Sequence, residues 1–165
     1  MKRALIAVAF LSSALVLWAD ADRPARGVAR LSVLNGDVSI RRGDSGDLIA
    51  GAVNGPLVVS DRLLTGPASR AEAQFDYANM IRLWSLTEVR FAELEYGRYT
   101  VQVARGTVTY RVLRDSQAEV EVNTPNLSVR PLKKGTYRIT VTEDGTTEVT
   151  VRAGEADIFT PRGSE

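Results

Sequence analysis

Few side chains in this sequence are equipped for covalent or acid–base chemistry. It contains no Cys and no His, which removes thiolate nucleophiles, thiolate metal sites, imidazole bases and disulfide staples. Carboxylates remain. Glu93 with Glu95, and Glu119 with Glu121, lie two residues apart. On a strand each pair shares a face, where it could serve glycosidase-type acid/base work. Arg90 and Arg98 accompany the first pair and Arg114 the second. A neighbouring guanidinium keeps a carboxyl ionised, whereas a general acid needs a raised pKa. The pairs therefore read as a wetted, charged face. Ser85 has no base near it, and Lys133-Lys134 stand together before Gly135 in what reads as a solvated turn, although a catalytic lysine needs burial. No glycine-rich phosphate loop and no metal-ligand spacing is present. The sequence predicts a protein with no catalytic residue, no metal and no cofactor.

Two further groups of residues can recognise rather than react. Asp61, Arg62, Thr65, Ser69 and Arg70 form the densest polar cluster. It reads as a turn in which Asp61 and Thr65 accept local backbone N–H groups, with a loop that binds a small polar ligand as the alternative. Among the aromatic residues, Tyr99, Tyr110 and Tyr137 share the parity of the apolar positions and are expected in the core. Trp84 breaks the alternation of Ile81 and Leu83, and Tyr96 adjoins Gly97 in a turn. These two are the candidate partner-binding residues, with packing as the alternative.

The elements that carry these residues are strands. Period-two alternation runs through 98–103, 107–112, 119–122, 137–142 and 148–152, with branched and aromatic residues on one parity and Thr, Arg and Glu on the other. Residues 70–79 also alternate, through Ala71, Ala73, Phe75 and Tyr77, and read as a strand. Asn35-Gly36 and Asp144-Gly145 are hairpin-type dipeptides, and Arg105-Gly106, Lys134-Gly135 and Ala153-Gly154 are further breaks. Thr124-Pro125 and Thr160-Pro161 mark strand ends. A pattern of apolar-x-x-Gly-x-apolar-x-apolar recurs around Gly36, Gly106, Gly135 and Gly154. Gly36, Asp61, Gly106, Gly135 and Gly154 are thus the structural turn residues, with positive φ expected at Gly106 and Gly135. The fold class is all-β, about twelve short antiparallel strands in a rolled, solenoid-like or two-layer architecture.

The N-terminus indicates export. Lys2 and Arg3 precede an apolar stretch from Ala4 to Ala19, 16 residues long, followed by Ala19-Asp20-Ala21. That is shorter than the ~20 residues of a spanning helix and has the pattern of a signal peptide cleaved after Ala21. An uncleaved anchor in the inner membrane is the alternative. The expected organisation is a signal peptide over 1–21, a linker over 22–27 and a β domain over 28–165. Of 21 basic and 20 acidic residues, the leader takes Lys2 and Arg3 against Asp20, so the remainder carries no net charge. Interleaved charge of this kind argues against a nucleic-acid or other polyanionic partner. It predicts contact through shape and aromatic groups, with little salt dependence.

The order of short motifs resembles the FecR domain family. They are Leu34–Val38 (LNGDV), Val59–Gly66 (VSDRLLTG), Ala68–Glu72 (ASRAE), Ile81–Leu83 (IRL), Arg105–Thr107 (RGT), Val122–Pro125 (VNTP) and Gly135–Ile139 (GTYRI). Each is a glycine turn or a short strand, and their order spans Ala29 to Phe159. The resemblance implies a β-rich envelope protein. The best-known members are inner-membrane regulators that couple an outer-membrane transporter to a cytoplasmic sigma factor. Only Met1 to Arg3 precede the apolar segment here, so the sequence looks like a stand-alone exported form of the domain. The resemblance also leads us to expect a further glycine-turn strand beyond Glu165.

The implied function is an extracytoplasmic, non-enzymatic binding or scaffolding module, periplasmic or secreted, that contacts a protein partner in the cell envelope and needs no small-molecule cofactor. The alternatives are a structural envelope or surface protein that self-associates through open β-edges, and an accessory to transporter–sigma-factor signalling.

Overall fold

A computed structural model of the chain describes residues 27–160 and 163–164; the expected signal peptide and most of the linker lie outside the described residues. The described residues are all-β and contain fifteen strands and no helix. One layer runs in the order β4 (Pro56–Leu57), β1 (Ala29–Asn35), β6 (Arg70–Gln74), β7 (Asn79–Leu83), β9 (Arg98–Val112), β12 (Gly135–Val141), β13 (Thr147–Ala153). The other runs β3 (Leu48–Ala50), β2 (Val38–Arg41), β5 (Arg62–Thr65), β8 (Glu88–Glu95), β9, β10 (Glu119–Asn123), β11 (Ser128–Pro131), β14 (Ala156–Thr160), β15 (Gly163–Ser164). We call them the seven-strand and nine-strand layers.

The 15-residue strand β9 belongs to both. Its first half pairs with β8 and β10, and its second half with β7 and β12. Gly106, at φ +86°, lies between the halves. The expected break at Arg105-Gly106 is therefore a bend within a continuous strand. The halves fold onto one apolar core that includes Leu31, Ile81, Tyr110, Tyr137 and Ile139 from one layer and Leu63, Phe91, Val101 and Val122 from the other. Phe75 ties the layers at ring-centroid distances of 6.0 Å to Phe91, 5.0 Å to Tyr99 and 5.8 Å to Tyr110.

The recurring glycine pattern marks places where the chain changes layer. At Gly36 it passes from β1 to β2, at Gly106 through β9, at Gly135 from β11 to β12 and at Gly154 from β13 to β14. This is a two-layer fold and not a stack of equal turns, which explains the uneven spacing of the glycines. Asn35-Gly36 is consequently a corner, whereas Asp144-Gly145 does close the β12–β13 hairpin. Gly36, Gly106 and Gly154 have positive φ and Gly135 does not. Gly135 is required for space instead, because a Cβ there would meet the Ala153 carbonyl.

Three further expectations are corrected. The β9–β10 pair is parallel, since the chain returns through 113–118 to the same end of the nine-strand layer. The strand expected over 70–79 ends at Gln74. Asp76 Oδ1 accepts from the N–H groups of Ala78 and Asn79 at 2.7 Å each and makes a turn, and this turns Tyr77 out to solvent, 66% exposed. Among the described residues the strands number fifteen rather than about twelve, because β3, β4 and β15, of two or three residues each, are too short to show alternation.

Candidate partner-binding face

Asp61 is the most constrained polar residue. Its side chain is buried and accepts from Arg42 Nη1 at 2.6 Å, Gly43 N at 3.0 Å and Val58 N at 3.0 Å. Its backbone carbonyl accepts from Phe91 N at 3.0 Å. These bonds hold the loop before β5 against β8. The carboxylate oxygens face protein donors, as a turn residue's do. Thr65 and Ser69 are used in the same way. Thr65 Oγ1 accepts from Thr87 N at 3.0 Å, and Ser69 Oγ accepts from Asp37 N at 2.8 Å. Thr87 Oγ1 accepts in turn from Thr107 N at 3.0 Å beside Gly106. A polar seam thus fastens the corners where the chain changes layer.

The carboxylate pairs lie on the outer face of the nine-strand layer, where guanidinium groups meet them. Arg98 reaches Glu93 at 3.5 Å, Glu95 at 3.7 Å and Glu119 at 3.3 Å, while Arg130 reaches Glu121 at 3.3 Å. Glu88 is shared by Arg62 at 2.8 Å and Arg105 at 3.7 Å. Arginines and acids balance on this face. Lys133 pairs with Glu155 at 2.6 Å. Tyr137 Oη donates to the Lys133 and Glu155 carbonyls, which pins the crossing at Gly135 and Gly154. Among the described residues no group of three or more His, Cys, Asp or Glu side chains is placed to hold a metal.

Trp84 and Tyr96 are exposed, but the fold does not bring them together. Tyr96, 94% exposed, sits at the tip of the β8–β9 hairpin beside an apolar groove of about 250 Å³ lined by Val28, Phe75 and Leu94. Trp84 lies at the opposite end of the β9 arm, where its N–H donates to the Thr107 carbonyl. The eight-residue arm separates the two by about 25 Å.

Trp84 stands on the outer face of the seven-strand layer, 45% exposed. Its indole Nε1–H donates to Thr109 Oγ1 at 3.3 Å, and the Arg138 guanidinium lies 5.4 Å from its ring centroid. Beside it is a groove of about 280 Å³ lined by Val33, Trp84, Arg70, Glu72 and Arg82, with the core residues Ala71 and Leu83 beneath. Val33 reaches this face because a β-bulge after Leu31 shifts the register of β1.

The comparisons match this architecture. The family model described as FecR protein matches residues 61–157, more than half of the 165-residue chain. The chain belongs to the FecR family. Two solved structures from Parabacteroides distasonis, each titled a "putative anti-sigma factor", share the fold at TM-score 0.54, with 18% and 17% sequence identity. Each alignment covers 63% of this chain and 49% of that one, so the chain spans about half the length of these neighbours. No curated protein matches.

The FecR match begins at Asp61 and includes Trp84, Tyr96, Gly106, Gly135 and Gly154. Reading the sequence by residue type missed how the fold of this chain sorts charge. The outward positions of the seven-strand layer carry Arg30, Arg70, Arg82, Arg111 and Arg138 against Glu72 and Glu148. Parity within each strand was the available signal. Which strands share a layer was not readable, so the interleaved sequence looked balanced everywhere.

Proposed function

We propose that this protein is an extracytoplasmic, non-enzymatic FecR-type module that works through protein contacts in the cell envelope, with the Trp84 face as its main contact surface. The exposed indole beside an apolar groove carries the reading, because partly exposed tryptophans next to pockets are typical binding anchors. Family membership supports it, as does the shared fold of the two proteins described as "putative anti-sigma factor". The Lys2-Arg3 and Ala19-Asp20-Ala21 pattern supports export to the periplasm or beyond. The arginine partners of Glu93, Glu95 and Glu121 support a role in recognition rather than acid–base chemistry. Tyr96 is a second, separate contact point.

Self-assembly through open edges is the competing reading, since β3 and β13 are edge strands. β3 has three residues, and β13 is broken by a bulge at Arg152, both features that discourage edge pairing. Affinity purification from the envelope fraction decides between the readings. The expected result is one envelope protein at fixed stoichiometry, lost with Trp84→Ala while the circular dichroism spectrum is unchanged. Oligomers that grow with concentration, with no second protein present, would replace the contact module by the structural reading.

A further inference from the structure

The outer face of the seven-strand layer has more positive charge than its own acids can neutralise. Glu72 is already committed inside the protein: Oε2 accepts from Arg82 Nε at 2.5 Å and Oε1 from Ser32 Oγ at 2.9 Å. Arg30 bonds to neutral partners, Asn54 Oδ1 at 2.9 Å and Gln74 Oε1 at 2.5 Å. Arg138 lies over the Trp84 ring. Arg70 and Arg111 have no carboxylate partner among the described residues. The opposite outer face contrasts with this: Arg62, Arg98, Arg105 and Arg130 are held there by Glu88, Glu93, Glu95, Glu119 and Glu121, while Arg41 and Arg90 bond to neutral oxygens. The chain's near-zero net charge therefore conceals one neutral face and one cationic face.

The cationic face also has a defined spacing. Arg82, Thr109 and Arg138 are register neighbours on adjacent strands, so the two guanidiniums leave the sheet about 10 Å apart. Arg111 follows Thr109 by two residues, about 7 Å along β9. Arg70 closes the groove next to Trp84. An extended peptide presents one-sided side chains about every 7 Å, so a segment that runs obliquely over β9 and β12 can reach both Arg111 and Arg138, which their register puts about 9 Å apart.

We propose that the seven-strand face binds an extended acidic segment of a protein partner, which sets an apolar side chain into the Trp84 groove and its carboxylates on Arg70, Arg111 and Arg138. This rests on the Trp84 face being the contact surface. Two features favour a protein segment over a uniform polyanion. Val33 and Trp84, the exposed apolar residues of the groove, give a hydrocarbon side chain a seat, and Glu72 and Glu148 interrupt the positive charge that an unbroken phosphate or sulfate array would meet. Guanidiniums bind carboxylates by paired N–H donors, and attraction of this kind weakens with salt, contrary to the salt independence that net charge alone predicts.

The test uses the full chain and two labelled ten-residue peptides, read by fluorescence anisotropy. One alternates Glu and Thr around a central Leu; the other has Gln in place of each Glu. The Glu peptide is expected to bind at least tenfold more tightly than the Gln peptide. Arg111→Glu with Arg138→Glu should abolish that preference, with the milder Arg111→Gln and Arg138→Gln pair as the check if the reversal perturbs folding. The charge-matched Arg41→Glu with Arg90→Glu on the other layer should leave it within twofold. Equal affinity for the two peptides, or no binding of either, overturns the acidic partner. Tighter arginine-dependent binding to heparin, or to vesicles of equal phosphatidylglycerol and phosphatidylcholine, overturns the choice of a protein segment. A Trp84→Ala variant that binds both peptides unchanged overturns the Trp84 face itself, which separates that failure from the others.

Discussion

Tyr99 shows how a single residue can serve both core and turn. Its ring stacks on Phe75 at 5.0 Å, while its hydroxyl donates to Asp76 Oδ2 at 3.0 Å, the carboxylate that also builds the β6–β7 turn. Burial, and then the bond to Asp76, push its pKa up to about 12. Tyr110 and Tyr137 are also raised, chiefly by burial. A phenol whose pKa is higher folded than unfolded contributes stability that is complete below its ordinary value near 10. That stability is lost as pH rises through the folded value. Urea midpoints should therefore fall between about pH 10 and pH 12, and fall less steeply in Tyr99→Phe. A Tyr99→Phe variant with the same decline as the parent would remove Tyr99 as a cause. The core position of Tyr99 was legible from its parity, but the bond to Asp76 was not, because 23 residues separate the partners.

At the scale of elements, the layer crossings decide which glycines matter. A Cβ at Gly106 would stand 2.6 Å from Thr87 Cα, on a backbone with positive φ. At Gly135 it would stand 2.8 Å from the Ala153 carbonyl carbon. Gly97 also has positive φ, but a Cβ there meets nothing within 4 Å. Gly106→Val and Gly135→Val should each cost about 3 kcal/mol or more, by clash at a fixed corner, and Gly97→Val only about 1–2 kcal/mol of backbone strain. Thermal melts of the three variants check the order, and equal melting temperatures would contradict it. Strand existence and the inward parity were legible because alternation is local. The two-layer arrangement was not, because a glycine that bends β9 at 106 and one that closes a hairpin at 145 both follow a polar residue in the sequence. Only long-range pairing separates them: β9 continues into β7 and β12, while Gly145 returns β13 to β12.

Across the whole molecule, folding sorts an interleaved sequence into two unlike surfaces. On the nine-strand layer, arginines and acids neutralise one another within the face. On the seven-strand layer, Arg70 and Arg138 flank an exposed Trp84 and its groove, and Arg111 lies about 13 Å further along β9. Trp84 was legible as a candidate from its break in alternation. Its arginine neighbours Arg70 and Arg138 come from β6 and β12, which the sequence does not show to share a face. The central claim is that partners meet this face and not the other. In-cell photocrosslinking tests it most directly, with p-benzoylphenylalanine replacing Trp84 on one layer or Gln102 on the other. The account expects a protein adduct from position 84 and none from position 102. An adduct at 102 with none at 84 would contradict it.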